Sequence, residues 1–218
     1  MSPNNERAPL EGPESIPDQV DQLIILLHGL GADGQDLFGL VPELEPTLPN
    51  TAFLSPNAPF PCDMAPYGFQ WFSMQQRDNA ALLSGIKSAA PRLESYITQQ
   101  AERFSLSLNK VALVGFSQGT MMALYVAPRL SDAIACVVGY SGAMLGEDKL
   151  KDEITSHPPI LLVHGTQDQV VPFPSMRHAK ETLRAHDFSV ETMACEGIGH
   201  GIHPLGLKRG RHFLKNNL

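Results

Sequence analysis

KVALVGFSQGTMMALYV, residues 110–126, is the stretch from which the fold can be read. Lys110 to Phe116 is a short apolar run without polar alternation, the pattern of a strand covered on both faces. Gln118 to Ala127 then reads as a helix. Between them stands Gly115-Phe116-Ser117-Gln118-Gly119, a G-x-S-x-G motif at a strand-to-helix junction. Such a turn is sharp, and it needs small residues on both flanks because side chains there would collide across it.

Working outward, the same apolar pattern recurs at Leu23 to Leu27, Ile134 to Tyr140 and Ile160 to Val163, with a shorter Ala52 to Leu54 and a late Ser189 to Ala194. Helical spacing appears at Leu82, Ile86, Leu93 and Ile97, where Pro91 is expected to kink or split the helix. Further helices are expected over Ser175 to Ala185 and Leu205 to Leu218. Strands alternating with helices predict an α/β fold: a mostly parallel sheet with helices on both faces. At 218 residues, with no internal repeat or linker, the chain suits one domain. That domain is expected over 21–218, after a polar, proline-rich and flexible segment over 1–20.

A serine hydroxyl held clear of a sheet becomes a nucleophile only beside a base, and in this architecture the acid and then the histidine follow it in the chain. Asp168 lies in the turn after Leu161-Leu162-Val163-His164-Gly165. Of eight histidines, His28 and His164 sit at strand ends, His157 precedes the strand that carries the acid, and His178, His186 and His212 fall on expected helices. His200, between Gly199 and Gly201 after the last strand, is the expected base, with His203 in reserve. Oxyanion donors are expected from the backbone amides of Gln118 and of Leu30, chosen over Gly31 in His28-Gly29-Leu30-Gly31. The loop Ser55 to Met74 is long and aromatic. Trp71 and Phe72 within it are read as a substrate-binding wall beside the site, against the plainer alternative that they pack the loop onto the core.

Sixteen basic against twenty-three acidic residues give a net charge of −7, the wrong sign for nucleic acid or an anionic lipid surface. The glycine loop matches neither G-x-G-x-x-G nor G-x-x-x-x-G-K-[ST], and no spacing suggests a zinc site, so no metal or nucleotide is expected. The apolar runs are too short to span a bilayer. Cys62, Cys136 and Cys195 show no CxxC spacing, and the N-terminus lacks the layout of a secretory signal, which together predict a cytoplasmic protein.

Together, His28-Gly29-Leu30-Gly31, Gly115-Phe116-Ser117-Gln118-Gly119, His164-Gly165-Thr166-Gln167-Asp168-Gln169-Val170-Val171-Pro172 and Gly199-His200-Gly201-Ile202 resemble the phospholipase/carboxylesterase group of α/β-hydrolases, which includes the acyl-protein thioesterases. The resemblance implies a minimal α/β-hydrolase without a large cap, no cofactor, and catalytic roles for Ser117, Asp168 and His200. One departure stands out: Ser73 follows Trp71-Phe72 where many members carry aspartate, and Gln70-Trp71-Phe72-Ser73 looks more like a bacterial branch. The expected activity is serine carboxylesterase action on short- to medium-chain esters, with lysophospholipase and acyl-protein thioesterase as alternatives. A binding protein that has kept the scaffold without catalysis is the non-enzymatic alternative. The expected partner is a small ester or thioester; a homodimer is left open.

Overall fold

The computed structural model describes residues 10–218. Its elements run β1 (Glu14–Ser15), β2 (Gln22–Leu27), α1 (Gly34–Phe38), α2 (Val41–Leu44), β3 (Thr51–Leu54), β4 (Phe60–Pro61), β5 (Phe69–Gln70) and α3 (Asn79–Arg103). They continue as β6 (Val111–Phe116), α4 (Gln118–Val126), β7 (Cys136–Tyr140), α5 (Leu150–Glu153), β8 (Ile160–Gly165), α6 (Pro174–Arg184), β9 (Val190–Cys195) and α7 (Pro204–Asn217). Seven strands form one sheet in the order β1-β3-β2-β6-β7-β8-β9. All neighbours pair in parallel except β1 with β3.

Alternation along the strands assigns each helix to a face. Leu23, Ile25 and Leu27 of β2 and Leu113 of β6 join the core that holds Ile86, Leu93 and Ile97 of α3, Met122 of α4 and Leu183 of α6. Ile24 and Leu26 of β2 and Val114 of β6 point the other way, to Leu37 of α1, Leu44 of α2 and Phe213 of α7. Both faces are therefore covered, and the central strands carry no polar alternation. β6 lies mid-sheet, and its C-terminal end delivers Ser117.

Two expectations change. Pro91 does not split α3, which runs unbroken through it. The proline sits on the exposed side of the helix, where water can serve the carbonyl that the missing N–H leaves unpaired. The expected flexible segment over 1–20 is partly ordered: residues 1–9 lie outside the described residues, but Glu14 and Ser15 pair with Leu54 and Phe53 at the sheet edge. Three contacts hold it there. Ser55 N–H donates to Pro13 O at 3.0 Å, Asn57 N–H donates to Glu11 O at 2.8 Å, and Arg103 grips the Glu14 carboxylate through two nitrogens at 2.8 and 3.0 Å.

Candidate active site

The turn between β6 and α4 holds Ser117 in an uncommon backbone conformation, φ 52° and ψ −114°. Close approach makes the flanking glycines necessary. A Cβ on Gly119 would sit 1.9 Å from the carbonyl oxygen of Leu27, and one on Gly115 would sit 2.6 Å from the backbone of Gly119. Ser117 N–H donates to Tyr140 O at 2.9 Å, which ties the turn to β7.

His200 stands across from the serine in the loop between β9 and α7. Its Nε2 lies 3.0 Å from Ser117 Oγ and its Nδ1 lies 2.8 Å from Asp168 Oδ2. The imidazole leans on the ring of Phe116, centroid to centroid 4.9 Å. Its loop is fastened by Gln167 N–H donating to Ile198 O at 2.9 Å and Ser141 Oγ donating to Gly201 O at 3.3 Å. Asp168 follows β8, buried, with Oδ1 accepting the amides of Val170 and Val171, each at 2.9 Å. Burial acts against its charge, but the hydrogen bond from His200 and those two amides outweigh it and hold the carboxyl below its ordinary value. His164 adds a contact that sequence reading passed over as a strand-end residue. Its Nε2 donates to Val171 O at 2.8 Å and lies 3.2 Å from Asp168 Oδ2.

This arrangement can move a proton from a hydroxyl to an imidazole while a fixed carboxylate balances the resulting charge. His203, the reserve base, faces elsewhere: its Nδ1 accepts Leu205 N–H at 3.2 Å and caps α7. Of the amides considered for an oxyanion, that of Gly31 is already donated to Phe69 O at 2.8 Å. As the first residue of α4, Gln118 has no intrahelical partner for its N–H. Leu30, like Gln118, lines the cleft that opens over Ser117.

A cleft of about 220 Å³ opens over Ser117 and His200, lined on its apolar side by Leu30, Met74, Phe116, Met121, Val170 and Val171. Asp36 and Arg77 stand at its edge. A larger cavity of about 650 Å³ at the far end of α3 contains none of these residues. Trp71 and Phe72 do not line the cleft, which corrects the expectation of an aromatic wall: both are buried in the core with α3 and α4. The reason is polar as well as steric. The Trp71 indole N–H donates to His28 O at 3.0 Å, and a Cβ on Gly85 of α3 would come within 2.9 Å of Phe72 Cβ, so the phenylalanine packs closely against that helix. Val170 and Val171, which follow Asp168 closely in Val170-Val171-Pro172, line the cleft instead.

Among the described residues no group of three or more His, Cys, Asp or Glu side chains could hold a metal ion, and no helix is long and apolar enough to cross a membrane.

A model of the phospholipase/carboxylesterase family matches residues 14–218. Acyl-protein thioesterase 1 of Candida albicans is 27% identical over 210 residues, which cover 88% of this chain and 90% of that protein. Esterase YpfH of Escherichia coli is 25% identical over 187 residues, covering 85% and 79%. Among solved structures, esterase PE8 matches with a TM-score of 0.93 at 35% identity, over 97% of this chain and 100% of PE8.

Proposed function

The chain belongs to the phospholipase/carboxylesterase family of α/β-hydrolases, and from that premise we propose that it is a serine carboxylesterase acting on short- to medium-chain esters through an acyl-enzyme on Ser117. That it is a carboxylic ester hydrolase follows from the family and from relatives named as esterases. The observation that carries the mechanism is His200 bridging Ser117 and Asp168 through its two ring nitrogens.

With Nδ1–H donated to Asp168, the Nε2 lone pair faces the serine hydroxyl. Ser117 Oγ attacks the ester carbonyl carbon as Nε2 takes its proton, and the buried carboxylate stabilises the imidazolium. The tetrahedral oxyanion meets the amides of Gln118 and Leu30. Collapse expels the alcohol, which leaves with the proton from Nε2, and the acyl group stays on Ser117. Water then attacks the acyl-enzyme, gives its proton to Nε2 and releases the acid, and the proton returns to Ser117. No step calls for a cofactor.

Cleft size favours the ester reading. At about 220 Å³ it falls below the roughly 300–1,000 Å³ of drug-sized sites, so it suits a short acyl group better than a long lipid chain. The similarity to acyl-protein thioesterase 1 supports a second reading, thioester cleavage by the same chemistry. All three thiols are free, in keeping with a cytoplasmic setting. A panel of p-nitrophenyl esters from acetate to palmitate, with matched thioesters and a lysophospholipid, tests the assignment. We expect kcat/KM to peak at short to medium chains; a maximum at palmitate or on the lysophospholipid would overturn it.

A further inference from the structure

The geometry points to Trp71 as a positioning residue that sets the spacing of the two oxyanion donors, an inference that rests on the assignment of those donors to Leu30 and Gln118. Trp71 ties together the two segments that carry them. Its indole N–H donates to His28 O at 3.0 Å, two residues before Leu30. Its backbone N–H donates to Gln118 Oε1 at 2.9 Å, and Gln118 Nε2 donates to Phe72 O at 2.8 Å. His28 is clamped in turn, with Nδ1 donating to Gly29 O at 2.7 Å and Nε2 accepting the amide of Ala58 at 2.9 Å. The result is a continuous chain of hydrogen bonds from the loop after β2, through Trp71, to the first residue of α4. Trp71, His28 and Gln118 are all buried, so water has no access to replace a lost bond.

An oxyanion donor works only when held about 2.7–3.1 Å from where the charge develops, and a misplacement near 1 Å can cost about 10²-fold in rate. Residues that fix this distance act on the tetrahedral state rather than on substrate binding. Loss of the indole N–H should therefore lower kcat while leaving KM nearly unchanged.

The protein has one tryptophan, so replacing tryptophan throughout the chain with benzothienylalanine, in which sulfur stands for the indole N–H, alters Trp71 alone and keeps its volume. Trp71→Phe and Gln118→Met, which keeps the backbone amide, accompany it. Each protein is assayed for kcat and KM on p-nitrophenyl butyrate, for affinity toward an alkyl boronic acid that forms a tetrahedral adduct, and for thermal midpoint. Expected is a fall in kcat of roughly 10- to 100-fold, short of the 10²–10³ of deleting a donor outright, with boronate affinity falling in step and KM changing little. Combining Trp71→Phe with Gln118→Met should cost less than the product of the single losses, since both break one chain. The inference is overturned if the benzothienyl protein keeps wild-type kcat and boronate affinity, or if its losses follow the thermal midpoint with boronate binding intact. Ser117→Ala separates this from the underlying assignment. If Ser117→Ala retains activity and boronate binding, the serine mechanism fails; if it loses both while the Trp71 variants behave as wild type, only the positioning role fails.

Discussion

Ser117, His200 and Asp168 come from three different loops, and the two short contacts that join them make each residue's contribution conditional on the others. Ser117→Ala should lower kcat by several orders of magnitude with an unchanged melting curve, and His200→Ala should match it. The double variant should be no slower than either single one, because residues that act as a unit lose their effect together; additive losses would separate them. His203→Ala removes a helix cap and should lower stability by about 0.5–2 kcal/mol with little effect on turnover, so an inactive His203→Ala would move the base. That Ser117, His200 and Asp168 meet was legible in the sequence because glycine neighbours and chain order set His200 apart from seven other histidines. Trp71 shows the limit of such reading. An aromatic residue in a long loop carries no sign of whether its ring faces solvent or core, and only the His28 carbonyl, which accepts the indole N–H, settles the matter. Trp71→Ala should therefore destabilise by roughly 3–5 kcal/mol without shifting chain-length preference, checked by a urea titration beside the ester panel.

At the scale of elements, the strands were read correctly to within a residue or two because apolar runs covered on both faces leave little else for the backbone to form. Short elements were not read. In α1 and α2 the apolar residues Leu37, Leu40, Val41 and Leu44 do follow a helical period, but Gly39 and Pro42 interrupt it within a few residues, and β1 is held in place by Gly12, Pro13 and Arg103 rather than by any pattern of its own. α3 shows how exposure changes the weight of a local rule. Pro91 breaks one hydrogen bond of a 25-residue helix on its solvent side, while Ile86, Leu93 and Ile97 stay docked on the other. The helix survives because its buried face outweighs a single lost bond. Pro91→Ala should then stabilise the protein by about 1–3 kcal/mol, part of the penalty proline carries in a helix interior. The denaturation midpoint checks this, and a lowered midpoint would mean that α3 depends on the proline.

The molecule as a whole joins its cleft to its core through two groups, Asp168 and His28, that both lose stability toward acid pH but at different points. Asp168 is held below its ordinary value, so its contribution to stability is fully present above the carboxylate range of unfolded chains, about 3.9, and is lost only as pH falls through its depressed folded value. His28 responds earlier. Burial lowers its affinity for a proton, and neither its bond to Gly29 nor the carboxylates of Asp33 and Asp36, which act the other way, restore it. Because its folded value lies below the 6.5 of an ordinary histidine, the unfolded chain binds the extra proton first. Stability from a neutral His28 is thus present above about pH 6.5 and declines as the pH drops, by at most about 1.4 kcal/mol per pH unit for one proton. His28 also immediately precedes Gly29 and Leu30, which line the cleft, and accepts the Trp71 indole N–H through its carbonyl, so protonation should loosen the cleft along with the fold. We therefore expect the thermal midpoint to fall between pH 6.5 and 5, before Asp168 titrates. In His28→Gln, which can still donate and accept, the protein should start from a lower midpoint but lose less of it over that interval. Melting curves at half-unit steps test this, and an equal slope in both proteins would assign the acid sensitivity to other histidines.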